Sequence, residues 1–180
     1  MHIYAMRHGE SEYNLLGLCN DDPARNVLLT ETGRLQAMRA SDGLGGVPFE
    51  RIFSSELPRA LETAEIVAGV HGLTVEPRAE LNDIRSGCDG RPVAEYFRLI
   101  AHDRLHARVG DGETLLEHKR RVVDFIAWLT EQPVQQVLLV AHEETLRVIL
   151  AYARHLDDDR MIELNFENCE ILDFEIDKAG

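Results

Sequence analysis

Four side chains of the 180-residue sequence could together do one kind of chemistry: Arg7, His8, Arg59 and His142. An arginine presents a planar fork of donors that matches phosphate oxygens two at a time. An imidazole can attack phosphorus and hold the phosphoryl group covalently. Two guanidiniums and two imidazoles in one pocket would make a compact cationic site whose natural guest is a phosphoryl group. The competing chemistry is a two-histidine metal site. Nearby arginines oppose a bound cation, so no metal and no other cofactor is expected.

These residues are far apart in the chain, so the fold has to gather them. Ile3 to Met6 reads as a short buried strand that delivers Arg7-His8-Gly9. Arg51-Ile52-Phe53-Ser54-Ser55 reads as a second strand. Pro58 then opens a helix, where its missing N–H costs nothing, and Arg59 follows it. Val137 to Ala141 is a continuous apolar run, the mark of a parallel strand buried on both faces, and His142 ends it. Leu146, Ile149, Leu150 and Ala153 then recur at helical spacing. In an open sheet of this kind, ligands gather at the carboxyl ends of the strands, where both histidines stand. The alternation predicts an α/β domain over 1–180: a three-layer α/β/α sandwich with a mostly parallel central sheet and an antiparallel edge.

The intervening segments read more plainly. Residues 15–29 carry loop chemistry. Thr30 caps a predicted helix over 31–44, with Gly33 in its first turn and Leu35 and Met38 on one face, stopping at Gly43-Leu44-Gly45-Gly46. Ala60, Ala64, Val67 and Ala68 line one face of the Pro58 helix. Residues 77–92 are loop-like and 93–107 are expected to be helical. Thr114-Leu115-Leu116-Glu117 is a capping-box pattern, opening a helix whose buried stripe includes Leu115, Val122, Ile126 and Leu129. Two short strands, 161–166 and 170–176, are expected to close the chain, pairing within the sheet or with a second subunit in a homodimer.

Composition narrows the partners. Lys+Arg number 19 against 32 Asp+Glu, a formal net charge of −13. That balance opposes general nucleic-acid binding and an anionic membrane surface. It leaves room for a small phosphorylated substrate, because a site can be locally positive on an acidic body. The three cysteines, Cys19, Cys88 and Cys169, form no Cys-x-x-Cys pair. Unpaired thiols fit a reducing cytosol, and no apolar run is long enough to span a membrane, so a cytoplasmic protein is expected.

The motifs around these residues resemble a known family. Arg7-His8-Gly9-Glu10-Ser11 with Asn14 is similar to the signature of the histidine phosphatase, or phosphoglycerate mutase-like, superfamily. Leu29-Thr30-Glu31-Thr32-Gly33, Ser54 to Ala60 with Thr63-Ala64, Leu81-Asn82-Asp83-Ile84, Gly112-Glu113-Thr114 with Arg121-Val122, and Val140-Ala141-His142 with Thr145 and Arg147 resemble its further segments in order. The resemblance implies a phosphoglycerate mutase-like fold and ping-pong phosphoryl transfer without a metal. His8 would become phosphohistidine. Arg7, Arg59 and His142 would hold the transferring group, with Asn14, and Ser11 beside it, helping to orient the phosphate.

Two departures bear on the acid that protonates the leaving oxygen. Asp83 stands where most relatives carry glutamate. Glu143 follows the second histidine where glycine is usual, and in the phytase-like branch an aspartate there is the proton donor. Asp83 is the first candidate and Glu143 the second. The ordinary reading of Glu143 is a carboxylate in a helix's first turn. Arg85 and Arg91 flank the acid segment and are candidates for contacts to the non-reacting part of the substrate. His102, His106 and His118 are expected at the surface, and His118-Lys119-Arg120-Arg121 as a mostly solvated basic run.

A phosphatase acting on a small phosphomonoester is the leading expectation. The short chain leaves little room for the cap a mutase uses, so mutase-type transfer ranks second. Sugar phosphates, α-ribazole phosphate and phosphohistidine on a protein are compatible substrates, and the N-terminal motif also resembles that of fructose-2,6-bisphosphatases. The rival from another class is a weakly active phosphate-binding module, motivated by the charge of Glu143 beside the pocket.

Overall fold

The computed structural model describes residues 1–176. Strands and helices follow in the order β1 (His2–Arg7), α1 (Glu12–Leu16), α2 (Glu31–Leu44), β2 (Arg51–Ser54), α3 (Pro58–His71), β3 (Val75–Pro77), α4 (Val93–Ile100), α5 (Leu115–Thr130), β4 (Gln136–Ala141), α6 (Glu143–Arg154), α7 (Asp158–Met161) and β5 (Ile171–Glu175). One 3-10 turn, Ala79–Leu81, follows β3. The sheet order is β3-β2-β4-β1-β5. The first four strands in that order run parallel, and β5 lies antiparallel along β1 at the edge.

The alternation of side chains along β4 divides the core in two. Val137, Leu139 and Ala141 join Ile3, Ala5 and Phe53 against α5 and α6, through residues such as Val122, Ile126 and Ile149. Leu138 and Val140 face the other way and pack with Met6 and Ile52 against Ala60, Ala64 and Val67 of α3 and Leu44 of α2. The result is the expected three-layer α/β/α sandwich. Burying a Val, Leu or Ile side chain fully contributes about 1.5–3 kcal/mol, so this two-sided core is what makes the strand ends rigid.

Register then sets the site. Arg7 pairs with Ala141 across β1 and β4, and Ser54 pairs with Val140 across β2 and β4. The residues just beyond, His8, His142 and Ser55, therefore emerge together at the carboxyl edge of three adjacent parallel strands.

Several local expectations need correction. The segment 161–166 is no strand. It leaves α7 and runs irregularly, with Met161 and Phe166 buried. Arg147 Nε donates to the Leu164 carbonyl at 2.6 Å and Arg7 donates to the Phe166 carbonyl, so guanidiniums take backbone groups that a ladder would have used. The helix expected over 93–107 ends at Ile100. Leu35 and Met38 are 49% and 54% exposed, and α2 instead buries Gly33, Ala37, Ser41 and Leu44. The α2–α3 contact is close, so small residues rather than large ones fill it. The expected loop 15–29 begins inside α1, whose Ser11 cap and Asn14 form a reciprocal capping pair. Both capping residues expected for longer helices hold: Thr30 accepts from Gly33 N–H, and Thr114 and Glu117 close a capping box.

Candidate active site

The turn after β1 is drawn tight by two glycines. A Cβ on Gly9 would lie 2.5 Å from the Gly33 carbonyl oxygen, and one on Gly33 would lie 2.0 Å from that of Glu10. Only hydrogen fits between these backbones, so the Arg7-His8-Gly9 turn lies directly on the first turn of α2. His8 is 2% exposed. Its Nδ1 lies 2.7 Å from the Gly9 carbonyl. A carbonyl only accepts, so Nδ1 carries the proton and Nε2 keeps its lone pair. Arg59 Nε donates to that Nε2 at 3.0 Å. Burial, reinforced by the Arg59 and Arg7 charges, holds the His8 imidazole well below the usual histidine pKa. The ring is neutral at pH 7 and its lone pair is available.

Arg59 is the hub. It is buried at the start of α3, and its five donors are distributed over the whole site. Besides His8, it donates to the Asn20 side chain and backbone, to Asp83 Oδ2 at 3.1 Å and to His142 Nδ1 at 3.0 Å. Because Arg59 only donates, His142 Nδ1 accepts, and the opposite nitrogen carries the proton. Nε2 donates to Ser55 Oγ at 2.8 Å, and Ser55 Oγ donates to Asn82 Oδ1 at 3.0 Å. Burial and the Arg59 charge also lower the His142 pKa well below its ordinary value. The two imidazole rings are 5.1 Å apart.

Arg7 forms the other wall. Its Nη1 lies 3.1 Å from Glu143 Oε2, and its buried Nε has no partner among the described residues. Glu143 also accepts from Arg147 at 2.7 Å. Asp83 sits opposite, with Oδ2 3.7 Å from His142 Nδ1 and Oδ1 accepting from Ile84 N–H. Arg7, His8, Arg59, Asp83, Glu143, Ser11 and Asn14 line one cavity of about 170 Å³, and His142 lies against it through Arg59 and Asp83. Asn14 Oδ1 accepts from Ser11 N–H and Oγ–H, which leaves its Nδ2 amide available to a ligand.

Arg85 and Arg91 stand apart from this group. Neither lines the cavity; both are exposed, and Arg91 pairs with Glu95 one helical turn on. Flanking the acid segment in sequence did not bring them to its inner side: the Arg85 backbone is tied to Glu113 through its N–H and its carbonyl, and the Arg91 side chain is held by Glu95. His118 is fully buried rather than at the surface. It accepts from Arg121 Nη2 at 2.8 Å. Arg121 in turn donates to the carbonyls of Glu80 and Asp83 at 2.8 and 2.9 Å and pairs with buried Glu113 at 2.6 Å. Half of the expected solvated run is thus a brace that holds the backbone under Asp83.

Asn20, Asp21, Ser55, Asn82 and Glu144 were not singled out from the sequence. Asn20 and Asp21 sit in a stretch of polar turn residues that reads as ordinary loop. Asp21 Oδ2 accepts from Ser86 N–H at 2.7 Å, tying that loop to the acid segment. Nothing in the local spacing distinguishes these residues from turn formers.

Comparison with known proteins shows the family of the chain. The profile of the histidine phosphatase superfamily (branch 1) matches residues 3–180. The chain belongs to that superfamily. It is 33% identical over 160 residues to the adenosylcobalamin/alpha-ribazole phosphatase of Escherichia coli (strain K12), covering 84% of this chain and 78% of the relative. It is 27% identical to the 2,3-bisphosphoglycerate-dependent phosphoglycerate mutase of Thermoplasma acidophilum, covering 95% of this chain and 86% of that one. The crystal structure of the alpha-ribazole phosphatase from Shigella flexneri superposes with a TM-score of 0.89 at 28% identity, covering 99% of this chain and 92% of that chain. This histidine phosphatase superfamily member thus has both phosphatases and mutases among its relatives, and its fold is phosphoglycerate mutase-like. No helix among the described residues is long and apolar enough to cross a membrane.

Proposed function

We propose that the protein is a phosphatase that hydrolyses small phosphomonoesters through a phosphohistidine on His8, with no metal in the reaction. The observation that carries this reading is the state of His8: neutral, tautomer held by Gly9, and Nε2 presented to the cavity between two arginines. Arg59 Nε donates to that lone pair. An arriving phosphoryl group takes over the Arg59 donors, and the unpartnered Arg7 Nε and the Asn14 amide add further ones. These preorganised donors meet the charge on the equatorial oxygens.

His8 Nε2 then attacks phosphorus, forming the N–P bond as the ester O–P bond breaks. Asp83 protonates the leaving oxygen. In the second half, the Asp83 carboxylate takes a proton from water, the hydroxide attacks phosphorus, and His8 departs with its electron pair as phosphate forms. Glu143 is the less suited acid, because each of its oxygens already accepts from a guanidinium. The Glu143 charge that motivates the reading as a binding module is offset by Arg7 and Arg147, which favours the phosphatase.

Mutase-type transfer must hold a second anionic group of the substrate. Among the described residues lining the cavity, the cationic side chains are Arg7 and Arg59, both at the phosphoryl position. A cavity of about 170 Å³ is small beside the roughly 300–1,000 Å³ of ordinary ligand pockets and suits a small ester. The free thiols Cys19, Cys88 and Cys169 fit a cytoplasmic setting.

The test is turnover of phenyl phosphate in the presence of a chelator. Hydrolysis lost in His8→Ala, with an acid-labile phosphoryl group trapped on the unmodified protein by rapid quench, supports the proposal. Turnover that survives in a folded His8→Ala variant overturns it.

A further inference from the structure

The part of the cavity beyond the phosphoryl position differs in character from the cradle. Its walls are Tyr13, Leu18, Val93, Tyr96 and Phe97, so most of the surface that would meet the organic part of a substrate is apolar or aromatic. Phe97 in this wall remains 38% exposed. The α1 and α4 segments that carry these walls are tied together, since Val93 N–H donates to the Gly17 carbonyl at 2.9 Å.

The ionisable groups in the same walls are acidic. Asp21 is engaged by Ser86. Glu144 Oε1 accepts from Arg147 at 2.6 Å, but its Oε2 is buried with no partner among the described residues. A buried acceptor left unpaired is costly, and a donor supplied by a ligand removes that cost. Burial pushes the Glu144 carboxyl above the usual range against the opposing pull of the Arg147 charge. The chain carries Glu143-Glu144 directly after His142, so this acidic wall is set by the first turn of α6.

We infer that the site selects phosphomonoesters whose organic part is ring-bearing and apolar, carries a hydrogen-bond donor, with an ammonium preferred, and lacks a second anion. The ring packs on Tyr96 and Phe97, the donor meets Glu144 Oε2, and a carboxylate or second phosphate faces the carboxylates of Asp21 and Glu144 in the cavity wall. This inference rests on the phosphatase reading of the same site.

Three esters with similar phenolic leaving groups test it: tyramine O-phosphate, 4-ethylphenyl phosphate, and the O-phosphate of 3-(4-hydroxyphenyl)propionate. The assay is run at about 1 M salt, where the screening length is about 3 Å, so the net charge of the whole protein does not mimic a local effect. The expected order of kcat/KM is ammonium, then neutral, then carboxylate, with at least about tenfold between the ends, roughly 1.4 kcal/mol, carried mainly by KM. Glu144→Gln should narrow that ratio by about threefold or more. Equal or reversed specificity in the unmodified protein, with the neutral ester hydrolysed, overturns the inference and leaves the phosphatase reading standing. Hydrolysis of none of the three overturns both. An unchanged ratio in a folded Glu144→Gln variant removes Glu144 from the proposal.

Discussion

Replacing Asp83 by asparagine separates the two carboxylates that border the cavity. Asp83 Oδ2 lies 3.1 Å from Arg59 and 3.7 Å from His142, whereas Glu143 bridges Arg7 and Arg147. A general acid contributes roughly 10²–10⁴ in rate when the leaving oxygen is basic. Asp83→Asn should therefore lower kcat on an alkyl phosphomonoester by about 100-fold or more. On 4-nitrophenyl phosphate, whose leaving group needs little protonation, the loss should stay below about tenfold. A second effect has the opposite sign. At 3.1 Å and an effective dielectric of about 20, the Asp83–Arg59 attraction is about 5 kcal/mol before solvent screening. The Asp83 side chain is 26% exposed, so the net value is smaller. Removing the carboxylate charge leaves the guanidinium to the phosphoryl group. Recovering only about 1.4 kcal/mol of that attraction would tighten inhibition by inorganic phosphate tenfold. The assay is steady-state kinetics on both esters with phosphate as inhibitor, on variants shown by circular dichroism to be folded. Equal losses on the two esters would refute the assignment. So would a leaving-group-dependent loss found in Glu143→Gln instead.

Three other outcomes follow from the packing and the charges. Gly33→Ala places a methyl group 2.0 Å from the Glu10 carbonyl oxygen, so it should destabilise the protein by about 1–3 kcal/mol or more and lower kcat through the displaced His8 turn; an unchanged melting temperature and rate would contradict the close approach. Thr114→Ala removes the side-chain oxygen that accepts from Glu117 N–H and should cost about 1 kcal/mol in urea unfolding, with kinetics preserved. Stability should fall with acid in two stages. His8 and His142 are held neutral by burial, so the unfolded chain binds more protons below about pH 6.5, and stability declines there. Burial opposes the charged form of Glu113, but hydrogen bonds from Arg121 and the Arg85 N–H, together with the Arg121 charge, outweigh it and hold its carboxyl below the usual range. Its contribution is present above about pH 4.5 and is lost as pH falls toward the depressed value. Urea midpoints measured from neutral to acidic pH should drop through both ranges, and Glu113→Gln should flatten the lower one.

Much of this molecule was legible in the residue pattern, for a physical reason. Val137–Ala141 of β4 is buried on both faces, and only apolar residues survive there, so its run announced itself. Thr30, Pro58, Thr114 and Glu117 act on groups within a few residues of themselves, and local effects show in local sequence. Arg7, His8, Arg59 and His142 could be named because their chemical types are unusual at strand ends. Their convergence followed from the rule that parallel strands present their carboxyl ends together. By contrast, Leu35 and Met38 were read as one helix face without knowing that α3 approaches too closely for them. The strand expected over 161–166 depended on carbonyls that Arg7 and Arg147, more than 15 residues away, had already taken.

The sequence by itself determined the layer architecture, the N-terminal caps of α2 and α5 and the four cationic or imidazole side chains that converge at the strand ends. Tertiary structure alone decided the rest. It chose the tautomers of His8 and His142, by setting an acceptor beside one ring and a donor beside the other. It turned His118 and Arg121 from a solvated run into the support of Asp83, and it left Arg85 and Arg91 outside the cavity. It also left Glu144 Oε2 buried and unpartnered in an aromatic wall. Each of these outcomes depends on which distant atoms come within about 3 Å, the range over which hydrogen bonds act, and no spacing along the chain encodes that distance directly.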